Sequence, residues 1–257
     1  WAPILSEVEE CYLNMAREID LRERLIIVTP HPTQVKALLQ DRLPKQAMQN
    51  ISLHPMPTND TWARDHGFIS THITAANDEG GDNLLLHDFG FNGWGMKFAS
   101  DLDNQINERI FDRLEGKFEY CDHRRIILEG GSVESDGKGT ILTTSSCLLA
   151  PNRNYYTKAE AEEMLKETLF ADRVLWLDHG YLAGDDTDGH IDTLARLCPD
   201  DTIVYVQCTD KKDEHYKELL AMENELKAMK TSDGKPYRLL PLPMTNPVFD
   251  ADEEDFR

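Results

Sequence analysis

The densest run of side chains able to do chemistry is Gly184-Asp-Asp-Thr-Asp-Gly-His-Ile-Asp192. His190 and Asp192 stand two residues apart, so a locally extended backbone turns both to one side, where an acid/base group and a carboxylate face a single ligand. Gly189 allows a turn or a close approach beside them. Three further polar, glycine-punctuated clusters are Asn59-Asp-Thr-Trp-Ala-Arg-Asp-His-Gly67, Glu129-Gly-Gly-Ser132 and Asn152-Arg-Asn154. Such clusters mark loops and strand ends, where sites are built. Each also has a plainer reading. The acidic segment Asp185 to Asp188 reads as a solvated turn or helix cap, Trp62 as core packing, Arg64 as an ion-pair partner of Asp65 or another acid, and the Gly130-Gly131 pair as turn formers. A divalent-metal site is the sharper rival around His190, but neither the EF-hand spacing nor HExxH is present.

Alternating elements have to carry these clusters. Ser6 with Glu9 has the form of a capping box, and Val8, Cys11, Met15 and Ile19 recur at helical spacing behind it. Leu25 to Val28 reads as a buried strand closed by Pro30 and Pro32, with Thr33 capping a helix over 34–40. Strands follow at 68–72 and 84–88, then a helix over 101–114 and a strand at 126–128. Asp136-Gly137 between 132–134 and 140–144 predicts a hairpin, because that dipeptide accepts the positive φ of a tight turn. Thr157 and Glu160 predict a second capping box for a helix to about Phe170, followed by strands at 174–177 and 202–207, a helix over 213–230 and a strand at 237–240. The alternation indicates an α/β fold without choosing between a doubly wound sheet and a propeller of small β/α units.

Composition removes several function classes. With 27 Lys+Arg against 47 Asp+Glu, the formal net charge of -20 repels phosphate backbones and attracts cations. No nucleic-acid partner is expected. Lys138 is followed by Gly139 where a P-loop needs Ser or Thr, and GxGxxG does not occur. The longest aliphatic run, Leu25 to Val28, is far shorter than a membrane span, and the first residues do not form a signal peptide, so a cytoplasmic protein with no membrane partner is expected. The 5 cysteines are scattered without a CxxC pair. Reduced thiols fit them best.

Taken together, the clusters resemble one family. Trp62-Ala-Arg-Asp65-His-Gly67, Glu129-Gly-Gly-Ser132, the run from Asp136 through Thr144 to Cys147-Leu-Leu149, Asn152-Arg-Asn154 and Asp185 to Asp192 are similar, in order and over nearly the whole chain, to the agmatine deiminase and bacterial-type peptidylarginine deiminase family. The resemblance implies the pentein fold, an α/β propeller of five blades around a pseudo-fivefold axis, incomplete within this chain. Residues 1–257 are then a single catalytic domain truncated at the C-terminus and at the N-terminus as well. The implied reaction is hydrolytic deimination of a guanidinium, agmatine to N-carbamoylputrescine plus ammonia in putrescine biosynthesis.

A guanidinium is planar, charged and forked, and is best held by carboxylates. By the resemblance, Asp65 and Asp192 are those clamps, His190 protonates the departing ammonia and then activates water, and Glu129 orients the histidine. Trp62 packs along the apolar stem of the substrate and Asp186 faces its distal amine. The family's nucleophilic cysteine is expected beyond Arg257; Cys11 on the core face of the first helix, Cys147 in an apolar run and Cys208 behind the strand at 202–207 are read as small hydrophobes. No metal and no organic cofactor are implied, and the partners are a small cationic guanidino substrate and a second copy in a homodimer. The alternatives are a peptidylarginine deiminase making protein citrulline and, in another class, a non-catalytic cation-binding module. A metal hydrolase would differ from all of these in losing activity to a chelator.

Overall fold

The structure is a computed structural model that describes residues 2–44, 47–73 and 83–246. The acidic run Asp250 to Asp255 lies outside the described residues. In chain order, the first elements are α1 (Leu5–Asp20), β1 (Leu25–Thr29), α2 (Pro32–Arg42), β2 (Ile51–Pro55), α3 (Ala63–His66), β3 (Ile69–Ile73) and β4 (Asn83–Gly90). There follow α4 (Gly93–Met96), α5 (Ile106–Phe111), β5 (Phe118–Ile127), β6 (Val133–Ser135), β7 (Thr140–Thr144), α6 (Ser145–Leu148) and α7 (Lys158–Leu169). The last are β8 (Arg173–Leu177), α8 (Ile191–Leu194), β9 (Ala195–Cys198), β10 (Thr202–Gln207), α9 (Tyr216–Ala228) and β11 (Arg238–Pro243).

One topology repeats. The sheets β3-β4-β5, β6-β7-β8 and β9-β10-β11 each pair their first two strands antiparallel and their last two parallel, and β1 pairs with β2 in parallel across α2. A parallel pair needs a crossover, and α2, α5, α7 and α9 are the helices in those connections. The alternation read from sequence is thus a series of small β/α units, not one wide doubly wound sheet.

By contacts the chain forms two units, residues 1–61 with 101–114, and residues 62–100 with 115–257. In the first, Leu13 and Ala16 of α1 pack with Leu39, Leu43 and Ile51. This corrects two expectations. The helix starts behind Ile4 without a side-chain cap, so Ser6 and Glu9 lie inside it, and the buried face is Leu13, Ala16 and Asp20. Cys11 is exposed and is no core residue. Two interleaved stripes have helical spacing here, and only packing against α2 and β2 selects between them.

In the second unit, one cluster joins Leu142, Leu177, Ile191, Leu194, Ile203, Leu219 and Met222, and another joins Phe89, Leu128, Ile141, Leu148 and Leu165. The first fixes the short helix α8 through the fully buried Ile191 and Leu194. The Asp136-Gly137 hairpin forms between β6 and β7, with Gly137 at φ 67°, and the capping box of Thr157 with Glu160 is complete. Strand β5 is longer than expected, because its polar face, Asp122 and Arg124 included, hides a run that pairs with β4. The helix expected over 101–114 shrinks to a 3₁₀ turn and α5. Across β3, β4 and β5, Thr71 Oγ1 lies 2.7 Å from His87 Nε2 and His87 Nδ1 lies 3.1 Å from His123 Nε2. Burial, helped by His123, lowers the pKa of His87 to about 4. No helix among the described residues is long and apolar enough to cross a membrane.

Candidate active site

Three of the sequence clusters occupy the same place in three successive repeats, the short turn before the first strand. Asp65 lies in α3 ahead of β3, Glu129 precedes the 3₁₀ turn Gly130–Ser132 ahead of β6, and His190 is the N-cap of α8 ahead of β9, with Asp192 in its first turn. His190 itself is extended, at φ -56° and ψ 139°, and the helix begins only at Ile191, so the pair faces one side at this junction and not along a continuous strand. The structure brings these four residues together. His190 Nδ1 stands 3.7 Å from Asp65 Oδ1 and 3.9 Å from Asp192 Oδ1, while Nε2 stands 3.6 Å from Glu129 Oε2.

Glycine makes the convergence possible. A Cβ placed on Gly131 would lie 2.4 Å from His190 Nδ1, 2.8 Å from Asp65 Oδ1 and 2.9 Å from Asp192 Oδ2. Three polar atoms thus point at one spot that only a residue without a side chain leaves open. Gly130 is closed by backbone, its Cβ position lying 2.1 Å from the Arg64 carbonyl oxygen. Neither glycine has the positive φ of a turn former, so the pair serves close approach.

Both oxygens of Asp65 are held by neutral donors. The Gly131 N–H donates to Oδ1 and the Trp94 indole N–H to Oδ2, each at 2.9 Å. Trp94 is buried and sits at φ 56°, ψ 50°, a left-handed conformation that costs a bulky residue on the order of 1–3 kcal/mol. Asn92 steadies this turn by accepting from the Gly95 N–H at 2.8 Å.

Behind His190, Glu129 is completely buried and paired with Arg153, whose Nε–H lies 2.8 Å from Oε2 and 3.2 Å from Oε1. Burial pushes the Glu129 carboxyl up, but His190 and then Arg153 outweigh it, leaving the pKa below the ordinary value. The Asp192 pKa moves the opposite way, upward: burial is the largest cause, Asp65 adds to it, and His190, Arg64 and Arg196 only partly offset them. The charges around Asp192 therefore leave its ionised form open to stabilisation by a further cation.

Arg64 Nε is 3.9 Å from Asp192 Oδ2, and Arg64 Nη2 donates to the Val133 carbonyl at 3.4 Å. Trp62 is the N-cap of α3 and is half exposed. Asp186 is exposed in the loop before His190, and its carbonyl accepts from Lys97 Nζ at 2.7 Å. Among the described residues, neither side chain hydrogen-bonds or ion-pairs with the cluster.

Sequence reading missed Trp94 and the setting of Cys147, and it singled out the Asn152-Arg-Asn154 cluster without giving Arg153 a role. Cys147 is buried beside Glu129, to whose Oε2 its thiol donates at 3.8 Å, and is not one of the residues of the apolar clusters. Burial first, and then the Glu129 charge, raise the thiol pKa well above its ordinary value. Cys208 is a core residue as expected. Glu129, Cys147 and His190 offer atoms all within 4.8 Å of one another, the one group among the described residues with a metal-like arrangement. Arg153 already supplies the cation for that carboxylate, however, and a divalent ion would have to displace it and ionise a resistant thiol.

Comparison with known proteins places this geometry. A family model described as Porphyromonas-type peptidyl-arginine deiminase matches residues 1–256. A Marinomonas sp. (strain MWYL1) protein named "Putative agmatine deiminase" is 30% identical over 235 residues, covering 89% of this chain and 59% of that protein. The chain spans between about half and three fifths of the length of the curated relatives it matches. Among solved structures, the crystal structure of the "Putative Arginine Deiminase from Porphyromonas gingivalis" superposes with a TM-score of 0.85 at 47% identity, covering 96% of this chain and 70% of that one. A cysteine-to-serine variant of C. jejuni agmatine deiminase with substrate bound superposes at 0.81 and 35% identity, covering 98% and 69%. The fold is accordingly the α/β propeller type of the penteins, as expected from the motifs.

Proposed function

The chain belongs to the Porphyromonas-type peptidyl-arginine deiminase family, and on that premise we propose that it forms the guanidinium-binding and acid/base part of an enzyme that hydrolyses agmatine to N-carbamoylputrescine and ammonia. The observation that carries this reading is the convergence of Asp65 Oδ1 and Asp192 Oδ1 on His190 Nδ1, at 3.7 and 3.9 Å, beside a glycine that lets all three groups approach the backbone. A planar cation with N–H groups on several edges meets two carboxylates and an imidazole there.

In this reading Asp65 and Asp192 accept the guanidinium N–H groups. A thiolate adds to the guanidinium carbon, His190 gives a proton to the departing nitrogen, and ammonia leaves an amidino-thioether. His190 then takes a proton from water, which attacks the same carbon; the C–S bond breaks and a ureido product forms. The balance is one guanidinium and one water giving one urea group and one ammonium ion. Glu129 faces the far nitrogen of the ring, 3.6 Å away, and orients it. The half-exposed Trp62 covers the aliphatic stem and Asp186 receives the distal amine. The reading assigns the thiolate to a cysteine outside these 257 residues, because burial and Glu129 hold Cys147 as a thiol and the relatives are longer.

Peptidyl-arginine is the second reading, favoured by the description of the matching family model. The test is ammonia release by the full-length protein from agmatine, free arginine and an arginyl peptide. A preference for agmatine supports the first reading and a preference for the peptide the second. No release from any of them points to a non-catalytic cation-binding module. Activity should also be indifferent to EDTA, whereas loss on chelation would favour a metal hydrolase.

A further inference from the structure

We propose that Arg153 is a positioning residue of this site, holding Glu129 against His190 and locking both to the loop 185–189. The proposal rests on the deiminase reading. The Arg153 side chain is 1% exposed, and four of its five N–H groups meet acceptors on three sides. Nε donates to Glu129, Nη1 to Asp188 Oδ2 at 2.8 Å and to Asn152 Oδ1 at 3.1 Å, and Nη2 to the Thr187 carbonyl at 2.9 Å.

Asp188 is the other anchor. Its Oδ1 accepts from Lys97 Nζ at 2.6 Å and its Oδ2 from Arg153 and, at 3.4 Å, from Asn152 Nδ2. It holds a left-handed φ of 65° two residues before His190. One guanidinium therefore ties together the turn that carries Glu129 and the turn that carries His190. A lysine ammonium carries the charge but cannot span both ends, because only the planar fork sends donors in fixed, divergent directions. A buried cation is costly to keep unless its placement matters.

The charge has its own consequence. The groups facing Glu129 are Arg153, His190 and the Cys147 thiol; His190 also faces Asp65 and Asp192, Asp192 also feels Arg64 and Arg196, and Cys147 also feels Asp185 and Asp188. Removing the buried guanidinium beside Glu129 makes its proton harder to lose. The acid limb of the rate profile, which needs ionised Glu129, then moves to higher pH.

The test uses the full-length protein with Arg153→Lys and Arg153→Gln. The lysine variant should lose kcat by about tenfold or more, with KM within about threefold and the acid limb in place. The glutamine variant should move that limb up by about one unit or more. A glutamine variant with kcat within about threefold of the parent and an unmoved limb overturns the proposal. If it does not fold, Asp188→Asn, at the more exposed end, decides: kcat should fall by about threefold to tenfold with KM nearly constant, and an unchanged kcat overturns the proposal.

If the parent protein releases no ammonia, the deiminase reading fails by itself, and unfolding midpoints decide the placement of the charge. The stability gap between the parent and Arg153→Gln, or Asp188→Asn where the former does not fold, should narrow from pH 7 to pH 4, since the carboxylates that lose their partner become protonated. A gap that does not change with pH means simple packing and overturns the proposal.

Discussion

Replacing Gly131 by alanine pushes a methyl group against the three polar atoms proposed to hold the guanidinium. The new Cβ would stand 2.4 Å from His190 Nδ1, against about 3.4 Å for ordinary contact, so the ring must retreat by roughly 1 Å. It cannot be relieved sideways, because Asp65 Oδ1 and Asp192 Oδ2 are themselves only 2.8 and 2.9 Å from the same carbon. The backbone accepts alanine, since Gly131 has no positive φ. A misplacement of about 1 Å costs about 10²-fold in rate, or about 2.7 kcal/mol of transition-state stabilisation, and overpacking adds about 1–3 kcal/mol of destabilisation. The assay is kcat/KM for ammonia release by the full-length enzyme, with thermal unfolding as the control. The expected result is a loss of about 10²-fold or more in a protein that still unfolds cooperatively. A Gly131→Ala enzyme within about threefold of the parent would show that the placement of these three groups does not matter to the reaction, and the site assignment would fall.

His190→Ala should abolish turnover while substrate affinity stays within about tenfold, because the carboxylate clamp remains; a near-normal rate would remove His190 from the mechanism. Trp94→Phe keeps the ring but deletes the donor to Asp65 Oδ2, and should raise KM and lower kcat by a combined factor of about ten, measured by steady-state kinetics. Stability should also fall on acidification. The pKa of His87 is depressed in the folded state, so its contribution is present above the unfolded value near 6.5 and lost as pH falls toward about 4. Denaturant unfolding over that window should reveal a loss of about 2–3 kcal/mol, and His87→Gln should flatten the profile; an equally steep variant would refute the assignment.

Much of the scaffold was legible because its signals are local. The strand at 202–207 is observed with the expected limits, and the Asp136-Gly137 hairpin and the Thr157–Glu160 capping box depend on neighbours a few residues away. Where signals competed, sequence misled: the stripe containing Cys11 is as helical as the buried one, and the polar residues of β5 hide its length. At the site, the ordered motifs of the family resemblance named Asp65, Glu129, His190 and Asp192, which stand together in the structure. The contacts of Trp94 and Arg153 were not legible, because a buried donor is defined by what faces it. Arg153 looks the same in sequence whether it meets solvent or Glu129, and no periodicity marks Trp94 as the holder of Asp65, 29 residues away. For Cys147 an apolar neighbourhood was inferred from an apolar run, yet the side chain points at a carboxylate.

The placement of the site residues in turns before the first strand of successive repeats bears on how the molecule gains and loses competence. Asp65 and Gly131, which hydrogen-bond across the site, are 66 residues apart in the chain, and each repeat contributes only one corner. No single hairpin or helix can form a partial site, and the loop-closure entropy of joining three repeats must be met before any corner finds another. Competence should therefore appear late in refolding, with the docking of whole repeats. In rising denaturant it should disappear together with the second unit's core, without an earlier phase in which the site melts while the sheets persist.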